Sequence, residues 1–145
     1  MSRTRIQLRF AKGDRFEVEL HDDEAPKTVS IIRQRLPFQY TFFQSIVSGQ
    51  ALVCLPPDLS VPRENQRVAG IPAGTLSFLV KDEPVLVPDE IYIAYGIFIS
   101  RGLTVDMKQP VNVFGHVVGD LEALARACRR VHMEGAETIH FEPLA

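Results

Sequence analysis

Glu90 is the residue whose type and position best suit chemistry, because it begins a stretch, residues 90–95, that is otherwise almost entirely apolar. A carboxylate in such surroundings can bind a cationic or an amide group, or it can accept a proton as a general base. The alternative is an ordinary solvated acid at the start of a strand, beside Asp89. The sequence leaves both interpretations open.

Three other polar residues fall in predicted strands. Gln44 and Ser45 are adjacent, so their side chains point to opposite faces and at most one of them faces a shared site. Ser45 has no evident base partner, which disfavours nucleophilic catalysis and leaves either a hydrogen bond to a ligand or plain packing. Tyr95 could offer its phenol to a ligand, or it could be an aromatic residue at the edge of the core.

Two further candidates lie outside this group. Glu64 and Asn65 are neighbours in a long loop, where binding groups are common, although turn chemistry explains the pair as well. His116 alternates with apolar residues along a strand and could act as an acid or base near neutral pH, or simply be a polar surface residue.

Composition restricts the class of protein. Hydrophobic residues make up 46% and charged residues 23% of the 145 residues, which is typical of a single globular domain, here residues 1–145. The net charge of −2 provides no basic field, so we expect no nucleic-acid partner. The longest apolar runs are about five residues against the roughly 20 that span a bilayer, so we expect no membrane partner. Because no apolar signal segment begins the sequence, we expect a cytoplasmic protein.

The two cysteines, Cys54 and Cys128, both have apolar neighbours. Such flanks and a reducing compartment favour buried free thiols over a disulfide. The sequence has no Cys-x-x-Cys motif and no Cys/His cluster with the spacing of metal ligands. We therefore expect neither a metal site nor a cofactor.

Hydrophobic periodicity predicts a mainly β domain with two helices. Alternation on both sides of a Lys-Gly-Asp turn at residues 12–14 predicts an N-terminal hairpin. One helix is predicted to begin at Pro26, after acidic residues at 22–24, and the other to follow an Asp120 N-cap and end at Gly135. Further strands are predicted at residues 41–47, 51–55, 76–80, 90–95, 112–118 and 137–141, with a long loop at 56–74. About eight strands without βαβ alternation favour a closed antiparallel β-barrel capped by the two helices.

Three short segments also stand in a recognisable order: Ala-Pro-Lys-Thr-Val at residues 25–29, Pro-Ala-Gly-Thr-Leu-Ser at 72–77 and Val-Phe-Gly-His-Val-Val-Gly at 113–119. Together with the order of the elements, they resemble the cyclophilins over most of residues 4–142. The resemblance implies the cyclophilin-like barrel. It also implies a groove in which Glu90 lies.

The residues that would carry prolyl isomerase activity are absent. The family's Phe-His-Arg looks like Phe43-Gln44-Ser45 here, so a serine stands at the arginine that stabilises the twisted amide. Val111 stands at the groove histidine, Val80 stands at an asparagine, and the chain contains no tryptophan. Isomerase activity is therefore not expected. The chain instead resembles a divergent bacterial and archaeal branch of cyclophilin-like proteins of unassigned function.

Three hypotheses follow. The first is a small organic ligand or short peptide bound in the altered groove by Glu90, Ser45 and Tyr95, with residues 56–74 as a mobile rim. The second is a small-molecule hydrolase, isomerase or lyase that uses Glu90 as general base. The third is a homodimeric interaction module that pairs through exposed strands or through the face of Ile91 and Ile93.

Overall fold

The alternating first twenty residues form the hairpin that their pattern predicts. β1 (Arg5–Phe10) and β2 (Arg15–Leu20) pair antiparallel, with Leu8 opposite Phe16. The turn between them contains Gly13 at a φ of +115°, a conformation that glycine adopts without steric cost. One face of the hairpin is buried and the other carries its charged residues.

The computed structural model describes residues 2–81, 89–101 and 108–144. Within these ranges the hairpin is followed by two helices and six more strands. They are α1 (Pro26–Arg35), β3 (Phe38–Gln44), β4 (Gly49–Cys54), β5 (Thr75–Leu79), β6 (Glu90–Phe98), β7 (Asn112–Val118), α2 (Leu121–Glu134) and β8 (Glu137–Pro143). No helix in the described ranges is long and apolar enough to cross a membrane.

The strands join into one closed antiparallel barrel in the order β1–β2–β7–β5–β6–β4–β3–β8. β8 pairs with both β1 and β3 and so closes the sheet. This confirms the mainly β, eight-stranded barrel with two helices. In this order each of the eight described strands has a neighbour on both sides.

The barrel interior is a hydrophobic core sealed by the helices. Its largest fully buried side chains include five phenylalanines: Phe10, Phe42, Phe78, Phe114 and Phe141. α1 contributes Val29 and Ile32, and α2 contributes Leu124, Cys128 and Val131. Ile91 and Ile93 belong to the same interior and are fully buried, so the surface suggested for a homodimer at these residues does not exist.

The two helices begin in different ways. α2 starts as predicted, with the Asp120 carboxylate accepting a hydrogen bond from the Ala123 backbone N–H at 3.0 Å. α1 has no acidic residue in its first turn and no cap from its own segment. Instead, the carboxylate of Glu64, far along the chain, accepts hydrogen bonds from the backbone N–H groups of Lys27 (3.0 Å) and Thr28 (2.6 Å).

Candidate functional site

The outer face of β4, β5, β6 and β7 is where the cyclophilin resemblance places the groove, and it carries a second hydrophobic cluster. Side chains that alternate away from the interior pack there with residues from the loops: Ala51, Val53, Ile71, Leu79, Tyr92, Ala94, Phe98, Val111 and Val113. Phe43 of β3 packs against them. Val111, at the position of the family's histidine, is 0% exposed. Apolar packing therefore fills the floor of the expected groove.

Ser45 stabilises the turn between β3 and β4. Its Oγ accepts a hydrogen bond from the Ser48 backbone N–H at 3.1 Å, and its own N–H donates to the Ala51 carbonyl at 2.9 Å. The Ser48 hydroxyl accepts from the Arg101 backbone N–H at 3.1 Å, which ties this turn to the segment after β6. The hydroxyl and the backbone N–H of Ser45 are therefore both engaged within the chain.

Glu90 is held between two partners on the outer face. Its Oε2 lies 3.2 Å from Lys81 Nζ, and its Oε1 accepts a hydrogen bond from Tyr92 Oη at 3.3 Å. The side chains of Glu90 and Lys81 are only 16% and 20% exposed, so water screens this pair less than it screens a surface salt bridge. Glu90 is therefore an anchored, ion-paired carboxylate and not the solvated strand-end acid of the alternative interpretation.

Tyr92 connects Glu90 to the interior of the outer cluster. Burial first, and then the negative charge of Glu90, raises the pKa of the Tyr92 phenol, while the nearby hydroxyls of Ser48 and Ser100 act in the opposite direction. The phenol therefore remains a hydrogen-bond donor at neutral pH. Close by in the chain, Ser100 Oγ and Arg101 Nε are buried without a hydrogen-bond partner in the described ranges.

A cavity of about 380 Å³ opens beside the Glu90–Lys81 pair, with Lys81 in its wall. Three separate segments build it: the loop after β4, the end of β5, and the segment that leads into β7. Its polar lining consists of Arg63, Gln66, Lys81, Lys108 and Gln109. Leu79, Val80 and Pro110 supply its apolar surface.

The loop that forms one wall of this cavity is tied to the barrel. Arg63 Nη2 donates to the Val80 carbonyl at 2.9 Å, and the backbone of Arg67 exchanges two hydrogen bonds with Val111 at 2.8 and 2.9 Å. Gln66, which has a φ of +41°, donates from Nε2 to the Asn112 Oδ1 at 2.7 Å. These hydrogen bonds connect the loop to the residue that follows β5, to β7 and to the segment before β7.

Glu64 and Asn65 support the structure of that same loop. Besides holding α1, Glu64 donates its backbone N–H to Asn112 Oδ1 at 2.7 Å. Asn65 pairs with the backbone of Val113, donating to its carbonyl at 2.8 Å and accepting from its N–H at 2.8 Å. All these groups are used within the chain, so the contacts of the pair are structural.

Tyr95 and Gln44 meet on the other side of the sheet. Tyr95 is packed in the interior cluster, and its Oη donates to Gln44 Oε1 at 2.5 Å. Gln44 Nε2 donates in turn to the Gly49 carbonyl at 2.8 Å. Because Glu90 lies on the outer face of β6 and Tyr95 on its inner face, the structure does not bring them together in one pocket.

His116 forms a pair with His21. His21 Nε2 lies 2.7 Å from His116 Nδ1, and His116 Nε2 lies 3.8 Å from Glu19 Oε2. His21 is only 7% exposed, and its Nδ1 is buried without a hydrogen-bond partner in the described ranges. The described residues contain no group of three or more His, Cys, Asp or Glu side chains that could hold a metal ion.

Sequence reasoning missed Lys81, Lys108 and the His21 partner of His116. Lys81 lies two residues after the buried strand β5, and this was the available signal, since a lysine there must turn its ammonium toward a solvent-facing or paired position. Its pairing with Glu90 depends on the β5–β6 register, in which Leu79 lies opposite Glu90. That register cannot be predicted from any local sequence pattern.

A larger cavity, of about 730 Å³, lies between α1 and the ends of β1 and β8. Its two cationic residues have acidic neighbours. Arg5 pairs with Glu17 at 3.0 Å, and Arg33 lies 4.0 Å from Asp22. We take the smaller cavity as the candidate because Lys81, the ion-pair partner of Glu90, lies in its wall.

Comparison with solved structures identifies the fold. The chain is similar to McbB, in a structure titled as a complex with tryptophan, with a TM-score of 0.69 and 18% identity. That match covers 95% of this chain and 44% of McbB, so the chain spans less than half the length of that protein.

Two further solved structures match along nearly their whole length. The hypothetical protein AF2241 from Archaeoglobus fulgidus has a TM-score of 0.60 and 22% identity, with coverage of 98% of this chain and 95% of that one. The Mimivirus cyclophilin has a TM-score of 0.53 and 17% identity, with coverage of 97% and 86%. The fold is therefore cyclophilin-like, as the three sequence segments predicted.

Comparison with curated proteins gave no match. A family of proteins matches residues 10–142, which is nearly the whole chain, and its description is "Protein of unknown function (DUF3830)". The function of the matched family is unknown. This chain has a cyclophilin-like barrel whose outer face is packed with apolar side chains. The chain belongs to the DUF3830 family.

Proposed function

We propose that the protein binds a small organic ligand in the cavity beside the Glu90–Lys81 pair and does not isomerise prolyl bonds. The observation that carries the proposal is the cavity itself. Polar side chains from three segments converge on about 380 Å³ next to a partly buried ion pair. Ligand sites are typically concavities of roughly 300–1,000 Å³ with a few placed polar groups on apolar walls.

The size and position of the cavity favour a small molecule over an extended peptide. A peptide would need the length of the outer face of β4 and β6, and packed side chains such as Tyr92 and Phe98 occupy that face. The cavity at its end has room for one small molecule or the last residue of a peptide. Of the two ligand classes that the sequence left open, we therefore favour a small organic molecule over a short peptide.

The anchoring of Glu90 supports binding over catalysis. Lys81 and Tyr92 each engage one of its carboxylate oxygens. A general base needs an oxygen that can reach a substrate proton. Glu90 is better suited to holding Lys81 in position at the cavity wall.

The comparison with McbB supplies a first probe. Its structure is titled as a complex with tryptophan, so a protein that contains a barrel similar to this one has been solved with a free amino acid. Tryptophan and other small amphipathic molecules are therefore the first compounds to test.

The test is an NMR titration of the ¹⁵N-labelled protein with tryptophan and a panel of small acids, amines and amides. We expect amide shifts to concentrate at Val80, Lys81 and Gln109. The Val80→Phe variant, which places a larger side chain in the cavity wall, should lose these shifts. The matched control is Ile97→Phe, since Ile97 is 81% exposed and outside the cavity, and it should keep them. Shifts that cluster instead around Thr4 and Gln34 would refute the proposed site, as would the absence of any saturable shift.

A further inference from the structure

We infer that the ligand of this cavity carries a carboxylate, which Lys81 and Lys108 bind, attached to a small apolar body. The inference depends on the proposed function, because it specifies the chemistry of the same site. It rests on the charges and the surfaces that line the cavity. Free small acids and the C-terminal carboxylate of a peptide share this chemistry.

The described lining residues include two lysines, Lys81 and Lys108, and none of the described lining residues is acidic. Two described carboxylates are already engaged with Lys81. Glu90 pairs with Lys81 Nζ at 3.2 Å, and Asp89 accepts a hydrogen bond from the Lys81 backbone N–H at 2.9 Å. An anionic group is the ligand chemistry that suits the ammonium groups of Lys81 and Lys108.

Lys81 is oriented for a second partner. Its ammonium has three N–H donors, and Glu90 is the one ion-pair partner it has in the described ranges. Glu90, itself held by Tyr92 Oη, restricts the position of the ammonium before any ligand arrives. A binding group whose position is fixed in advance loses less entropy on binding, which favours affinity.

Lys108 completes the pair of cations on a different segment. It is exposed and has no ion pair in the described ranges, although it lines the same cavity as Lys81. Lys81 and Lys108 thus reach the same cavity from two separate segments. A ligand carboxylate has two oxygens, so it can contact both lysines.

The rest of the lining specifies the body of the ligand. Leu79, Val80 and Pro110 give an apolar surface, while Gln66 and Gln109 add neutral amides. An inorganic anion would leave that apolar surface wet. A small carboxylic acid with a hydrocarbon or aromatic portion covers it and gains from its removal from water.

The experiment compares matched acids and amides. The probes are 3-phenylpropanoate and 3-phenylpropanamide, and a tetrapeptide ending in phenylalanine with a free or an amidated C-terminus. Binding is followed by amide shifts at Val80, Lys81 and Gln109. We expect each acid to bind at least about tenfold more tightly than its amide, and to weaken as salt is raised because the contact is ionic. If 3-phenylpropanoate binds more tightly than the tetrapeptide with a free C-terminus, the ligand is a free small acid. If the tetrapeptide binds more tightly, the ligand is the C-terminus of a peptide.

Variants of the lysines connect this preference to named residues. Lys108→Gln removes an exposed cation and should fold normally, so we expect it to reduce acid binding several-fold and to leave amide binding unchanged. Lys81→Met should abolish the preference and Lys81→Arg should restore part of it. Lys12→Gln, a lysine paired with Glu134 away from the cavity, is the matched control and should have no effect.

The two proposals fail in different ways. Equal affinities for acid and amide, with shifts at the cavity, would overturn the carboxylate inference and leave the proposed function standing. A preference for acids that survives in Lys108→Gln and Lys81→Met would overturn the assignment to these lysines. No binding of any probe at millimolar concentration would count against both.

Discussion

At the scale of single residues, the paired histidines His21 and His116 constrain each other's protonation. A nitrogen–nitrogen distance of 2.7 Å between His21 and His116 requires one ring to donate and the other to accept, so both cannot be cations in this geometry. Burial first, and then the positive charge of Arg3 and the proximity of His116, lowers the pKa of His21. The acidic residues Asp23 and Glu24 oppose this without reversing it.

The lowered pKa of His21 predicts that stability falls on acidification. An unfolded histidine titrates near 6.5, so below that pH the unfolded chain binds more protons than the folded one. The contribution of neutral His21 to the free energy of unfolding is complete above about pH 6.5. It is lost as the pH falls toward and through the lowered pKa of His21 in the folded protein, by at most about 1.4 kcal/mol per pH unit. Urea unfolding between pH 5 and pH 7.5 should show this slope, and His21→Gln should flatten it.

His132 provides the control for this measurement. It is exposed in the last turn of α2, so His132→Gln should leave the pH dependence of unfolding as it is. If His21→Gln and the wild type lose stability in parallel on acidification, the histidine pair does not cause the loss.

At the scale of elements, α1 depends on a carboxylate that its own segment does not contain. Glu64 accepts hydrogen bonds from the first backbone N–H groups of α1, which would otherwise be unsatisfied. Although burial acts in the opposite direction, the hydrogen bonds from Thr28 and Lys27 lower the pKa of the Glu64 carboxyl. The contact also fixes the loop that forms the cavity wall, so helix and site are mechanically connected.

We expect Glu64→Ala to lower the free energy of unfolding by about 1–2 kcal/mol, the usual cost of losing an N-terminal cap. Glu64→Gln should cost less because an amide oxygen can still accept one of the two hydrogen bonds. The matched control is Glu122→Ala, which removes an exposed carboxylate in the first turn of α2. Equal unfolding free energies for Glu64→Ala and Glu122→Ala, measured in urea, would contradict the capping role.

The helices and strands also show how much of the fold could be predicted from the sequence. Period-two alternation found the hairpin and β7, and the Asp120 and Gly135 signals bounded α2 correctly, because these features lie within a few residues of one another. The cap of α1 was missed because Glu64 is 36 residues from Thr28 in the sequence. β6 continues through Gly96 to Phe98, since pairing with β4 overrides the local preference of glycine for a strand end.

The candidate site was less predictable than the fold for the same reason. Glu90 was identified because a carboxylate in an apolar strand is conspicuous in any sequence. Its partners Lys81 and Tyr92 required the pairing of β5 with β6, and the separation of Tyr95 required knowledge of which face is interior. The sequence shows which residue types are present, but which of their side chains lie close together depends on how the strands pair in the closed barrel.

At the scale of the whole molecule, the barrel has two hydrophobic cores, one inside and one on its outer face. The outer cluster occupies the face that the cyclophilin resemblance reserves for a prolyl peptide. The serine at the position of the arginine and the packed outer face are two departures from what the resemblance implies. Packing on this face buries apolar area, which stabilises the fold.

The packed outer face predicts the result of placing an arginine at residue 45. We expect neither the wild type nor Ser45→Arg to accelerate cis–trans isomerisation of a proline tetrapeptide, measured by NMR exchange, because Tyr92, Phe98 and Val111 cover the floor where the peptide would lie. A chain that had lost only one side chain should regain activity in Ser45→Arg, so activity in that variant would show that the groove is open. Activity already present in the wild type would direct attention to Arg63 and Arg101, whose replacement by methionine would then have to abolish it.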